Sequence, residues 1–212
     1  MTGQAPHQNS PVSKETTMTS ISRRLKGLPP DVAHIASKGE AEASRYNLVA
    51  RIFHWTIMLL IACMFLTNWL RADAPHASAE RSGWLSAHES LGLLVLALSL
   101  GRLAWRLTHA APPLHGSPLV RHVVGAGHAL LYLATIGLPL AGLARAFAAN
   151  ELGFFGIDVP PSTERGHIFT TIADFLHGGL VMDLLLALIA GHALAALWHQ
   201  FVLKDGTLQR MI

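Results

Sequence analysis

The chain has 212 residues, of which 51% are hydrophobic and only 14% charged, a balance too apolar for an ordinary soluble domain of this length. The formal charge of +3 is small, and the basic residues gather near the ends of apolar runs rather than in a stripe with interleaved aromatics, so no nucleic-acid partner is expected. The single cysteine, Cys63, lies inside an apolar run; this excludes a disulfide framework, a thiolate metal cluster and a covalent c-type haem attachment, and leaves Cys63 as a small buried hydrophobe.

Residues 1–44 are rich in Ser, Thr, Pro, Gly and charge and hold no apolar stretch that could form a signal-peptide core, so they are expected to be a disordered cytoplasmic extension. Residues 45–212 follow as one transmembrane domain. Four apolar segments, at roughly 52–70, 88–107, 123–144 and 176–200, are each near the ~20 residues that a helix needs to cross a hydrocarbon layer. Helices must do so, because a backbone in lipid finds no water to bond. The fold class predicted is therefore all-α, an integral membrane four-helix bundle. Glycines such as Gly92, Gly101, Gly142 and Gly178 permit close approach of helices or of a flat cofactor. Pro139 is expected to interrupt and kink the third span.

Orientation follows from the basic residues outside the spans. Twelve stand on one side, including Arg23, Arg24, Arg51, Arg102, Arg106 and Lys204, against Arg71, Arg81, Arg145 and Arg165 on the other. The positive-inside rule then places both termini in the cytoplasm. We call that end of the bundle inner and the opposite end outer. Trp55, Trp69, Trp84, Trp105 and Trp198 mostly mark the two interfaces.

Histidine is the unusual component, with 13 copies against 16 Lys and Arg. His54, His88, His128, His177, His192 and His199 all fall within the spans or at their edges, where ionisable residues are costly and face the interior with a partner. His88 and His177 open the second and fourth spans from the outer side and can meet at one level. His54 enters from the inner side, and His192 lies roughly 22 Å beyond His177 along its helix, which makes a second level. At about 100° per residue those two histidines stand ~60° apart, so one face of the fourth span can supply a ligand to each of two stacked sites. A haem iron with two axial imidazoles is coordinatively filled and transfers electrons rather than binding oxygen. A zinc or other transition-metal transporter would instead gather histidines and carboxylates into one polyhedron near the midplane. Asp183, deep in the fourth span, stands outside both levels, and is expected to serve either a hydrogen-bonded packing role or a proton or quinone function.

Arg51-Ile52-Phe53-His54-Trp55, His88 ahead of Gly92 and Gly101-Arg102, His128 with Tyr132 and Gly137-Leu138-Pro139-Leu140-Ala141-Gly142, and His177, His192, His199 and Lys204-Asp205-Gly206-Thr207-Leu208 together resemble the bacterial cytochrome b561 family. The resemblance covers residues 45–212. It implies two noncovalent haem b groups with bis-histidine iron inside the bundle, the inner held by His54 and His192 and the outer by His88 and His177. It also implies ubiquinone as electron acceptor and an external donor, possible donors being superoxide, as in members with a similar C-terminal motif, and a partner dehydrogenase or hydrogenase for which the chain would be the membrane anchor. His199 is placed either to meet a quinone headgroup or a propionate or to sit at the interface as a plain polar residue, and Arg51, Arg102 and Arg106 either to pair inner propionates or to snorkel to the inner surface. The outer connections carry four arginines against seven acids, a net negative rim; an anionic donor would then need a local positive funnel, drawn from Arg71, Arg81 and Arg165.

Overall fold

The computed structural model describes residues 29, 31–32, 45–112, 117–149, 153–155, 157–158 and 167–212. The chain divides into two units, Met1–Arg45 and Tyr46–Ile212; the fold below is that of the second. The N-terminal extension, apart from Pro29, Asp31 and Val32, lies outside the described residues.

Four helical segments are long and apolar enough to cross a membrane: Leu48–Asp73, Ala79–Thr108, Pro118–Ala149 and Thr171–Leu203. The first three are single helices, α1, α2 and α3. Each runs past the apolar core that marks it in the sequence, because its ends are made by caps and not by hydropathy. Asn47 caps α1, its Oδ1 accepting from the Ala50 N–H at 2.8 Å. The helix stops at Asp73, where Ala74 turns extended ahead of Pro75, as the residue before a proline must. Ser78 caps α2 through Arg81 N–H, and Glu80 sits in the first turn beside the positive end of the helix dipole. Pro118 opens α3, the one helical position where a missing N–H costs nothing.

α1 and α2 form an antiparallel hairpin. Phe53 packs on Gly101, with its ring 3.2 Å from where a Cβ would stand, and Met64 packs on Gly92. Gly92, Val95 and Ser99 recur on one face of α2 and are buried there. Elsewhere little is buried: in the first, third and fourth spans only 6% of the most apolar window lies inside the protein. Leu59, Trp69, Leu133 and Leu194, each at least 60% exposed, therefore form a lipid-facing surface rather than a water-facing one. Cys63 is half-buried, less enclosed than its sequence setting suggests.

One expectation about the spans needs correction. Helical structure continues through Pro139 inside α3, and the interruption falls instead in the fourth span. There α4 (His167–Leu176) gives way to α5 (Gly179–Trp198) across His177 and Gly178, whose backbone is extended at φ −88°, ψ 174°. A Cβ on Gly178 would lie 2.8 Å from the Asp174 carbonyl oxygen, closer than van der Waals contact permits, so only glycine fits this break. Between the third and fourth spans the all-α fold carries a minimal antiparallel pair, β1 (Gly153–Phe154) with β2 (Ile157–Asp158). Two-residue strands carry no periodicity a sequence can show. The pair is pinned to α2: Glu89 Oε2 accepts from Gly153 N–H at 2.9 Å, and Ser90 Oγ from Phe155 N–H at 2.8 Å.

Beyond α5 a π-helical turn (His199–Leu203) ends in left-handed Lys204 and Gly206. Asp205 organises this turn. Its partial burial opposes ionisation, but hydrogen bonds from the Thr207 hydroxyl, from His199 and from the Thr207 N–H outweigh it and hold the carboxyl below its ordinary range. The tail then returns to α1, where the Trp55 indole donates to the Met211 carbonyl at 2.7 Å and the Tyr46 N–H to Arg210 at 3.1 Å.

Candidate functional site

The hairpin geometry of α1 and α2 and the break in the fourth span bring histidines together at the two ends of the bundle. At the outer end His88 of α2 faces His177, with ring centroids 6.2 Å apart. At the inner end His54 of α1 faces His192 of α5, centroids 6.1 Å apart. Two imidazoles bonded on opposite sides of one metal atom at about 2.0 Å each hold their centroids about 6.3 Å apart. Both pairs meet that requirement to within a few tenths of an ångström. His128 of α3 stands nearer His192, at 5.5 Å between centroids, too short for a metal in line between them.

The outer pair is also oriented. His177 Nδ1 lies 2.9 Å from the Leu138 carbonyl and His88 Nδ1 lies 3.2 Å from the Met64 carbonyl, with Thr67 Oγ1 at 3.3 Å. A carbonyl only accepts, so these bonds assign the proton to Nδ1 and leave the Nε2 lone pair of each ring for a metal. His177 reaches this position only because residue 142 is glycine: a Cβ there would stand 2.7 Å from His177 Cε1 and 3.0 Å from Nδ1. A cavity opens between the two rings, lined by Met64, Gly92, Pro139, Gly142, Phe154 and Arg145 among others. Most of its wall is apolar, with Glu89 and Arg145 as charged members.

The arginines divide differently from the sequence expectation. Arg71 interacts electrostatically with His88 and Arg145 with His177. Arg145 is also ion-paired to Asp174 at 2.6 Å, both side chains about half exposed. The guanidinium of Arg81 is instead spent on the backbone, donating to the Arg71 and Ala74 carbonyls at 2.7 and 3.4 Å. Arg165 lies outside the described residues.

At the inner end a second cavity is lined by Tyr46, Asn47, Arg102, Arg106, His128, Tyr132 and Met211, among others, with no carboxylate among the described residues of its wall. Arg102 lies over the Tyr132 ring at 5.3 Å and interacts electrostatically with His54, His128 and His192. Arg51 is half-buried, and its Nε has no hydrogen-bond partner among the described residues, an orphan donor of the kind a propionate satisfies. His199 is engaged by Asp205, Nδ1 to Oδ2 at 2.6 Å, and so belongs to the fold of the tail as well as to the inner surface. Sequence reasoning missed the two carbonyls that orient the outer rings and the cavity that joins Arg102, His128 and Tyr132. Neither has a signal in one dimension beyond the Gly142 and Pro139 motif.

The family model described as prokaryotic cytochrome b561 matches residues 45–212. A protein of Yersinia pestis named probable superoxide oxidase CybB is 30% identical over 172 residues, covering 79% of this chain and 96% of the relative. Cytochrome b561 homolog 1 of Escherichia coli is 27% identical over 172 residues, covering 80% and 97%. Cytochrome b562 of Cereibacter sphaeroides is 31% identical over 171 residues, covering 79% and 94%.

Proposed function

Because this chain belongs to the prokaryotic cytochrome b561 family of haem b electron-transfer proteins of the bacterial membrane, we propose that it passes electrons through two haem groups from an external donor to ubiquinone. The observation that carries the reading is the pair of 6.1 and 6.2 Å histidine separations at opposite ends of the bundle. In this reading His88 and His177 would hold the outer haem and His54 and His192 the inner one. Haem b held by two imidazoles supplies a one-electron couple with no open coordination position. The protein's own contribution is to aim each Nε2, to exclude water with the lipid-facing bundle, and to set Arg51 and Arg102 against negative charge at the inner site. The inner cavity with Arg102, His128 and Tyr132 is the place we assign to the quinone headgroup, because it adjoins the inner histidines and offers donors to quinone oxygens.

Superoxide is the donor we propose, from the name of the Yersinia relative. An anion approaching a rim of net negative charge needs local attraction, and Arg71 and Arg145, which act on His88 and His177, are the outer arginines placed to supply it, Arg145 while shared with Asp174. The test is stopped-flow reduction of the purified protein by superoxide, followed at the haem absorbance, with quinol formation from added ubiquinone. Two haems per chain are expected, with a reduction rate that falls as salt shortens the Debye length from ~10 Å at 0.1 M. Arg71→Gln and Arg145→Gln should each slow it severalfold, and Arg81→Gln should not. Absence of haem refutes the whole reading; a rate indifferent to salt and to both substitutions refutes the donor.

Both termini are proposed to be cytoplasmic, on the twelve-to-four distribution of basic residues. A C-terminal fusion is expected to fluoresce as green fluorescent protein and to be inactive as alkaline phosphatase. The opposite pair of results reverses the topology.

A further inference from the structure

The inner histidine pair is carried by two helices that pack on different neighbours. α1, with His54, lies on α2 through Phe53 and Met64. The fourth span, which carries His192, meets α3 where His177 packs on Gly142 and reaches the Leu138 carbonyl. Neither contact fixes the distance between α1 and α5 at the inner level, and the chain beyond α5 supplies a link that does. Trp55, next to His54, donates its indole N–H to the Met211 carbonyl at 2.7 Å, and the Tyr46 N–H, just before α1, reaches the Arg210 carbonyl at 3.1 Å. At its other end the link starts from His199, which continues α5 and stands about two turns beyond His192 on nearly the same face.

One carboxylate holds this return in shape. Reversing the chain from α5 toward α1 takes two left-handed residues, Lys204 at φ 51° and Gly206 at φ 73°. Glycine enters that region freely, whereas lysine does so at a cost and persists there only where its surroundings fix it. Asp205, between the two, makes the fixing bonds. Its Oδ2 lies 2.6 Å from His199 Nδ1, and its Oδ1 accepts from the Thr207 hydroxyl at 2.6 Å and from the Thr207 N–H at 3.1 Å. Asp205 thus ties the end of α5 to the start of the tail. The 3-10 turn Leu208–Arg210 then delivers Met211 to Trp55 and to the wall of the inner cavity.

We infer that residues 204–211 form a clasp between the two helices of the inner pair, with Asp205 as its positioning residue, and that the clasp sets how His54 and His192 face each other. The inference rests on the reading of that pair as haem ligands. Asp205 acts at a distance, through His199 on α5 and, by way of the tail, through Trp55 on α1. The outer pair has its own supports inside the bundle, the Met64 and Leu138 carbonyls at the Nδ1 atoms of His88 and His177. Loss of the clasp therefore disturbs the inner pair alone.

The test compares the haem-loaded protein with Asp205→Ala and with a chain ending at Thr207. The rings of His54 and His192 stand at 69° to each other, and the angle between two axial imidazole planes governs the largest g value of a low-spin ferric haem in electron paramagnetic resonance. In both variants the inner haem signal should shift and the outer signal should not, and detergent challenge should release the inner haem severalfold faster. Gly206→Ala, which strains the same reversal with Asp205 in place, should act in the same direction. A second measurement needs no haem: nitroxide labels at Ile52→Cys and Leu194→Cys, both exposed positions, in a Cys63→Ala background should give one narrow distance in the parent and a broadened one in Asp205→Ala. Inner signal and label distance unchanged in the variants, or loss of both haems alike, overturns the inference. A parent protein without haem refutes the reading of the pair instead, and the label distance then decides the clasp by itself.

Discussion

Replacing His88 or His177 by alanine should remove the outer haem and leave the inner one in place, and His54→Ala or His192→Ala should do the reverse. Each pair stands at the separation that two imidazoles adopt about one metal, and a noncovalent haem that loses one axial bond loses both affinity and its low-spin spectrum. The expected reading is one haem per chain in place of two, by pyridine haemochrome assay, with the surviving absorbance band differing between the two classes of variant. His128→Ala is the discriminating control. At 5.5 Å from His192 its ring is too close to share an in-line metal, so this variant should keep both haems and lose quinone reduction. Loss of a haem in His128→Ala together with retention in His54→Ala would reassign the inner ligand.

Gly142→Leu should have nearly the effect of His177→Ala without touching a ligand. Already a Cβ at position 142 would lie 2.7 Å from Cε1 and 3.2 Å from Nε2 of His177, and the ring is held against the same helix by the Leu138 carbonyl one turn earlier. The imidazole must swing away, breaking that hydrogen bond and misdirecting Nε2. Overpacking of this kind costs about 1–3 kcal/mol, and here the cost falls on a metal bond. Several-fold loss of outer haem is expected, with the inner haem retained. Gly137→Ala, one and a half turns earlier in α3, is the matched control, because a Cβ there meets nothing within 4 Å. If the two variants hold the same haem, the close approach of His177 to α3 is not what positions it.

The same two residues show why one level of description was readable in the chain and the other was not. Hydropathy and length suffice for four spans, because a helix in lipid has to be apolar over its whole width for about 20 residues, and each of the four appears in the structure. The depth of a histidine is equally one-dimensional, being a residue count times a fixed rise. His54, His88, His177 and His192 therefore sort into two levels before any coordinates exist. The sequence does not distinguish Gly142 from Gly137, since whether a Cβ has room depends on which ring of another helix lies opposite.

Position within a level is a matter of packing. Nothing in the sequence separates His54 from His128 as partners of His192, because both stand within reach, and only the ring separations of 6.1 and 5.5 Å differ. Arg81 reads as a free outer cation in the sequence, yet two backbone carbonyls at the turn before α2 claim its guanidinium. Arg145, read only as one of four outer charges, lines the outer cavity, as neither Arg71 nor Arg81 does among the described residues. The break at His177 and Gly178 is likewise tertiary. A run of apolar residues satisfies the hydropathy rule whether or not its backbone is continuous, and the fold interrupts it where His177 turns to the Leu138 carbonyl of α3. The chain by itself thus determined the membrane, the number of spans and the two histidine levels, all set by solvent and helix periodicity. Which ring faces which, and which group each arginine bonds, depended on contacts that only the assembled helices and their turns create.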